Sequence, residues 1–199
     1  MRIVDPDAPH VEAIRALAAG RDERPLLIAL DGRSGVGKST LALKMAVALR
    51  GEIVDSDSFY SGGTLADWHR SSATEKAERA IDWRRLRVDA LEPLAAGRTA
   101  RWHPFDWDAG EGLSPREVIV APAPVVIVDG VYSGRPELAD LIGVAVLVGL
   151  EDSVRRARLH ARDAEWFDER WHAVWDEAEQ HYFAKVAPLE RFDVVVERD

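Results

Sequence analysis

The chain has no cysteine among its 199 residues. That excludes disulfide bridges and thiolate metal sites and fits a reducing compartment, so a cytoplasmic location is expected. No apolar run approaches the roughly 20 residues needed to cross a bilayer. The first residues, Met1-Arg2-Ile3-Val4-Asp5-Pro6-Asp7, lack the basic-then-apolar layout of a secretion signal. No membrane partner is expected. Cations are also in short supply: 26 Lys and Arg face 35 Asp and Glu, a formal net charge of −9. A nucleic-acid partner is therefore not expected, because a phosphate backbone demands a basic surplus. Repeats, low-complexity tracts and interdomain linkers are missing too, and one domain over residues 1–199 is expected. The 47% hydrophobic content is enough for a substantial core. A homo-oligomer remains open.

What is present is concentrated at residues 32–39. Gly32-Arg33-Ser34-Gly35-Val36-Gly37-Lys38-Ser39 is a complete G-x-x-x-x-G-K-[ST] loop, followed by Thr40. The apolar run Leu26-Leu27-Ile28-Ala29-Leu30 predicts a buried strand leading in, and residues 40–49 predict a helix leading out, closed by Gly51. Glycines let successive backbone N–H groups curl around a polyphosphate, and the helix N-terminus adds partial positive charge. Lys38 can reach the β- and γ-phosphates, and the Ser39 hydroxyl can ligand Mg²⁺. The bland alternative is a glycine-rich turn that binds nothing. The full motif and both flanks favour a nucleoside triphosphate, taken as ATP.

Along the chain, Asp7-Ala8-Pro9-His10 with Val11, Ile14, Leu17 and Ala18 predicts an amphipathic helix ending at Gly20, within an N-terminal extension over residues 1–24. Residues 52–55 predict a second strand. Residues 61–73, polar and glycine-containing, predict a mobile loop. Residues 82–94 carry helical periodicity up to Gly97. Residues 99–120, with Trp102, His103 and Phe105 ahead of Gly110 and Gly112, predict an antiparallel hairpin. Residues 124–129 and 144–148 are apolar strands, residues 154–161 an Arg-rich helix, 168–186 a long helix, and 193–196 a last short strand. Fully apolar strands alternating with helices imply a parallel sheet covered on both faces.

A phosphate loop alone does not separate kinases from GTPases, transport ATPases and motors. An Asn-Lys-x-Asp guanine-reading motif is absent, and Ser61-Gly62-Gly63 is too short for a transporter signature. The chain resembles the uridine/cytidine kinase family, in the wider group that includes pantothenate kinase and phosphoribulokinase. The resemblance is carried by residues 32–40, Asp57-Ser58-Phe59-Tyr60, Asp82-Trp83, Pro93-Leu94-Ala95-Ala96-Gly97-Arg98, Phe105-Asp106-Trp107, the strand 125–129 with Gly130-Val131-Tyr132, and residues 158–163. It spans residues 25–197. It implies the P-loop nucleoside triphosphate hydrolase fold: an α/β protein with a five-stranded, mainly parallel sheet flanked by helices. A small hairpin over the acceptor and an Arg-bearing lid at residues 155–170 go with it. It also implies ATP and Mg²⁺ as cofactors and a small nucleoside-like alcohol as partner.

Site residues follow from position and from the resemblance. Asp57 lies past the second strand, at the carboxyl edge where open α/β sheets bind ligands, and the resemblance makes it the group that accepts the proton of the attacking hydroxyl. Asp55 is its competitor, and a solvated turn acid is the bland reading. Asp129 ends an apolar strand as a magnesium-holding acid or as a simple turn. Ser39, Asp57 and Asp129 are the candidate metal residues. Asp82 is either the family's ribose-binding acid or a helix N-cap.

Tyr60, Phe105 and Trp107 are candidate acceptor contacts, and Trp102 belongs to the same aromatic cluster; such rings either stack on an acceptor or bury the hairpin. Arg158 and Arg162 match the lid, where forked guanidiniums suit a charge-dispersed phosphoryl group. Arg155 and Arg156 are expected to be solvated, and Arg170 is a candidate third lid arginine beyond Ala164-Glu165-Trp166-Phe167. The family's base-contacting His is replaced by Asp108-Ala109-Gly110. The leading expectation is an ATP-dependent kinase of a nucleoside hydroxyl. The alternatives are a same-fold kinase for a pantothenate-like or sugar alcohol, or a nucleotide-binding regulator without a small acceptor.

Overall fold

The computed structural model describes residues 7–20, 25–165 and 168–198. The predicted extension is thus described for residues 7–20, while Trp166 and Phe167 of the predicted lid lie outside the described residues. Strand β1 (Leu26–Asp31) is buried along its whole length. It is the middle of a five-stranded parallel sheet ordered β2-β5-β1-β6-β7, with β2 (Glu52–Asp55), β5 (Val125–Asp129), β6 (Ile142–Leu150) and β7 (Val194–Arg198). Because side chains alternate across a strand, Leu26, Ile28 and Leu30 pack on one face with Val11, Ile14, Leu41 and Met45. Those partners come from α1 (Ala8–Ala19) and α2 (Lys38–Leu49). Leu27, Val126 and Val128 pack on the other face with Tyr182 and Val174. Each such fully buried aliphatic side chain contributes about 1.5–3 kcal/mol.

That second face is covered by α8 (Glu169–His181), which continues as a π-helical turn (Tyr182–Val186), and by the helical run from α5 (Trp83–Arg85) through a π-helical stretch (Leu86–Leu91) to α6 (Glu92–Ala95). Strands β3 (Ala100–Trp102) and β4 (Val118–Val120) pair antiparallel, as the hairpin expectation had it. Helix α7 (Asp152–Arg162) follows β6.

Residues 61–73 are not the loop expected. Helix α3 (Leu65–Arg70) occupies the middle of the stretch, and α4 (Ala73–Arg79) follows. Each begins with a capping box, in which the side chain of Thr64 or Ser72 accepts from the third residue's N–H while Asp67 or Glu75 reaches back. Trp68, 2% exposed, pins α3 to the core.

Candidate active site

The glycine loop sits between the end of β1 and the start of α2. Gly32 has φ 147°, and a Cβ there would run into the Val148 carbonyl oxygen; Gly37 has φ 91° and caps α2. No side chain caps α2, which leaves its N-terminus to an anion. The Lys38 Nζ donates to the Gly32 and Arg33 carbonyl oxygens at 2.8 and 3.1 Å, folded back over the loop. Ser34, Gly35, Gly37, Lys38, Ser39 and Thr40 line one cleft, which Asp55, Asp57, Asp129, Arg158 and Arg162 complete. Val36 instead is buried in the core beneath the loop.

Asp57 lies on a single 3₁₀ turn (Ser56–Phe59) whose entry is fixed by the Asp55 carboxylate accepting the Asp57 N–H at 2.9 Å. Both carboxylates have surface open to the cleft, yet its walls replace much of the surrounding water. Desolvation therefore pushes Asp57 up from the ordinary carboxylate range, while Lys38 and Arg162 pull it down. Asp55 is pushed up to about 6, by desolvation first and then by the charge of Asp57. Asp129 is raised by burial, and the Ser39 hydroxyl hydrogen-bonds it. Its Oδ1 is buried without a partner. An orphaned carboxylate oxygen beside a loop hydroxyl is a donor set that fits Mg²⁺. Among the described residues, no cluster of three or more His, Asp or Glu could hold a metal unaided. Phosphate oxygens and water would have to supply the remaining ligands.

A second cleft adjoins the first and shares Ser34, Asp57, Val131, Leu159 and Arg162 with it. Its far wall is aromatic, with Tyr60, Trp107, Trp171 and Trp175. Tyr60 stacks on Trp107 at 5.0 Å and 17°, and its hydroxyl accepts from Trp68 Nε1 at 2.7 Å. Desolvation raises the Tyr60 phenol to about 12, which keeps it neutral. Phe105 meets Tyr60 and Trp107 edge-on from behind; it is 5% exposed and backs the wall rather than forming it. Trp102 is buried against Phe59.

Asp82 takes the capping alternative. Its carboxylate accepts the Arg85 N–H at 3.1 Å at the start of α5, and it is not part of the cleft wall. Arg162 forks onto Asp163 at 2.6 and 2.9 Å and stands where the two clefts meet. Arg170 instead pairs with Asp168 and is 74% exposed.

Arg155 corrects its expectation. It is 1% exposed, bonding the Ser34 carbonyl oxygen, Asp152 and Asp176. Arg156 is solvated, as expected. Sequence reasoning also missed Glu179 and Asp31. Glu179 is 2% exposed and accepts both the N–H and the hydroxyl of Ser34. Ser34 thus turns its donors toward α8 rather than into the phosphate cleft. Burial raises the Glu179 carboxyl, with the Ser34 bonds opposing. Asp31 is fully buried and accepts from the backbone N–H groups of Gly32, Tyr132 and Gly134 and from the Tyr182 hydroxyl, all within 3.0 Å. Desolvation outweighs those bonds and pushes it up to about 6. Neither acid has a local motif: Asp31 only closes the apolar run of β1, and Glu179 sits among the polar residues of α8, where nothing in the sequence sets it apart.

A covered parallel sheet, a glycine loop at its carboxyl edge and an acid-bearing cleft beside it define a P-loop nucleotide-binding fold. The phosphoribulokinase/uridine kinase family model matches residues 27–188, and the chain belongs to that family. No curated protein matches the chain in sequence. Among solved structures, it is similar to a possible uridine kinase from Bacillus stearothermophilus, with TM-score 0.72 and 18% identity, covering 94% of this chain and 97% of that one. A candidate fructose transport system kinase from a Silicibacter species aligns with TM-score 0.70 and 22% identity, again over 94% and 97%. A D-glycerate 3-kinase from Cryptococcus neoformans aligns with TM-score 0.60 and 15% identity, over 94% and 95%. At these identities the likenesses establish the fold, and with the family match they support a small-molecule kinase that uses ATP.

Proposed function

We propose that this protein is an ATP- and Mg²⁺-dependent kinase that transfers the γ-phosphate to a hydroxyl of a nucleoside-like alcohol held in the aromatic cleft. The observation that carries this reading is the meeting of two clefts at Asp57 and Arg162, one lined by the phosphate loop and one that takes only Ser34 from it. A hydroxyl in the second cleft faces a γ-phosphate in the first across one carboxylate and one guanidinium. The hydroxyl oxygen attacks phosphorus as the bond to the β-phosphate oxygen breaks, and the proton passes to an Asp57 carboxylate oxygen. Lys38, Arg158 and Arg162 stabilise the charge spread over the transferring group. Ser39 and Asp129, with Asp57 beside them, would hold Mg²⁺, whose chemistry is to neutralise polyphosphate charge. Tyr60 and Trp107 offer flat apolar faces on which a ring can stack, backed by Phe105.

One observation favours a second acceptor within the same reaction. Asp82 caps α5 rather than facing the cleft, which withdraws the carboxylate a ribose diol would use. A sugar or other polyol needs no such contact. Incubating the protein with ATP, Mg²⁺ and uridine, cytidine, D-fructose, D-glycerate or pantothenate tests both, read as ADP release and phosphorylated product. Turnover of a nucleoside supports the first acceptor, and turnover of a sugar or acid alcohol alone supports the second. ATP binding without any product across the panel would overturn the kinase reading.

A further inference from the structure

Tyr132 combines three unusual properties at the wall of the acceptor cleft. Its backbone sits at φ 74°, a region costly for a bulky side chain; among described non-glycine residues only Arg50 shares it. The side chain is 5% exposed, yet its hydroxyl is buried without a hydrogen-bond partner. A buried, unpaired hydroxyl forgoes its hydration with nothing in return, so one beside a cleft points to a partner that arrives from outside. The position is built, not incidental. Asp31 takes the Tyr132 N–H at 3.0 Å, and Tyr182, itself bonded to Asp31, holds the Tyr132 ring edge-on at 4.8 Å. Tyr132 lines the cleft together with Asp57 and Val131, and does not line the phosphate-loop cleft.

We propose that Tyr132 is an acceptor-recognition residue whose hydroxyl hydrogen-bonds a non-reacting polar atom, a second hydroxyl or a carbonyl, of the alcohol being phosphorylated. The proposal rests on the kinase reading and narrows it: the acceptor carries at least two polar groups, one for Asp57 and one for Tyr132. A simple monohydric alcohol would leave the tyrosine unsatisfied. A strained backbone held by a buried carboxylate then has a use, because it holds the residue at the cleft wall in the free protein, so that only a small shift of that wall brings the hydroxyl to the acceptor.

The test is Tyr132→Phe, which keeps the ring and removes only the hydroxyl. Acceptor KM, measured with whichever of uridine, D-fructose or D-glycerate the wild type phosphorylates, should rise about tenfold, the range for one lost hydrogen bond in a desolvated site. The KM for ATP should stay unchanged. The melting temperature of the free variant should be equal to or above wild type, because an orphaned polar group has been removed. An unchanged acceptor KM in an active enzyme overturns the proposal and leaves the kinase reading intact. A melting temperature lowered by several degrees overturns it too, since the hydroxyl then serves the fold. If the wild type phosphorylates none of the three, the kinase reading has failed for these acceptors and the proposal falls with it.

Discussion

Asp55 and Asp57 stand two positions apart and keep different company. Asp57 lines both clefts, whereas Asp55 lines only that of the phosphate loop, where its carboxylate also caps the turn that presents Asp57. Asp57→Asn keeps the shape and removes the base. Its kcat should fall by roughly 10² to 10⁴ with near-normal ATP binding, as loss of a positioned general base does. A smaller drop would mean the hydroxyl needs little deprotonation before attack. Steady-state kinetics beside an ATP titration reads both. Asp55→Asn should be much less damaging to kcat and should show itself in stability. Its carboxyl is raised to about 6 from an ordinary 3.8, so the folded chain holds that proton more tightly than the unfolded one. The contribution is present below pH 3.8 and lost as pH rises through 6. The variant should therefore melt like wild type near pH 4 and a few degrees higher at pH 8. The gain is small because the side chain is open to solvent, which screens the charge. Melting curves at the two pH values check the sign.

At the scale of elements, local chemistry was legible and long-range pairing was not. The loop at 32–39 and the apolar strands announce themselves within a few residues, and the structure has a strand wherever one was expected. The stretch 61–73 misled because its polarity and two glycines outweighed Thr64-x-x-Asp67 and Ser72-x-x-Glu75, which are helix starts on close reading. Arg155 was illegible for another reason. Its burial depends on Ser34, 121 residues away, and on Asp176, 21 residues away, and no window on α7 contains either. In the candidate site, Ser34, Gly35, Gly37, Lys38, Ser39 and Thr40 converge with Asp57, Asp129, Arg158 and Arg162, while Val36 packs into the core and Asp82 turns aside to a helix end.

That placement makes Asp82 an element-scale test. Asp82→Ala should lower stability by about 1 kcal/mol through the lost cap, while Asp82→Asn should be nearly neutral, since Asn caps about as well. Neither should move acceptor KM. Denaturant melts beside acceptor titrations separate the outcomes, and a rise in acceptor KM for both variants would return Asp82 to the acceptor.

Across the whole molecule, the two clefts are joined from behind by shared side chains. Glu179 and Arg155 tie the phosphate loop to α8 and α7, and Arg198 of β7 reaches the Gly37 carbonyl oxygen at 2.7 Å. Asp31 does the same where β1 and β5 end, joining the phosphate loop to the turn that carries Tyr132. The amides of Gly32, Tyr132 and Gly134 all donate to its one side chain, though about a hundred residues separate the first from the other two. Groups that share one acceptor cannot be released separately at low cost, so their deuterium uptake is coupled. In native-state exchange followed by NMR, these three amides should exchange slowly and at a common rate, well behind those of α1. Asp31→Ala should speed all three together. A rate rise at only one would show that the phosphate loop and the turn after β5 open independently.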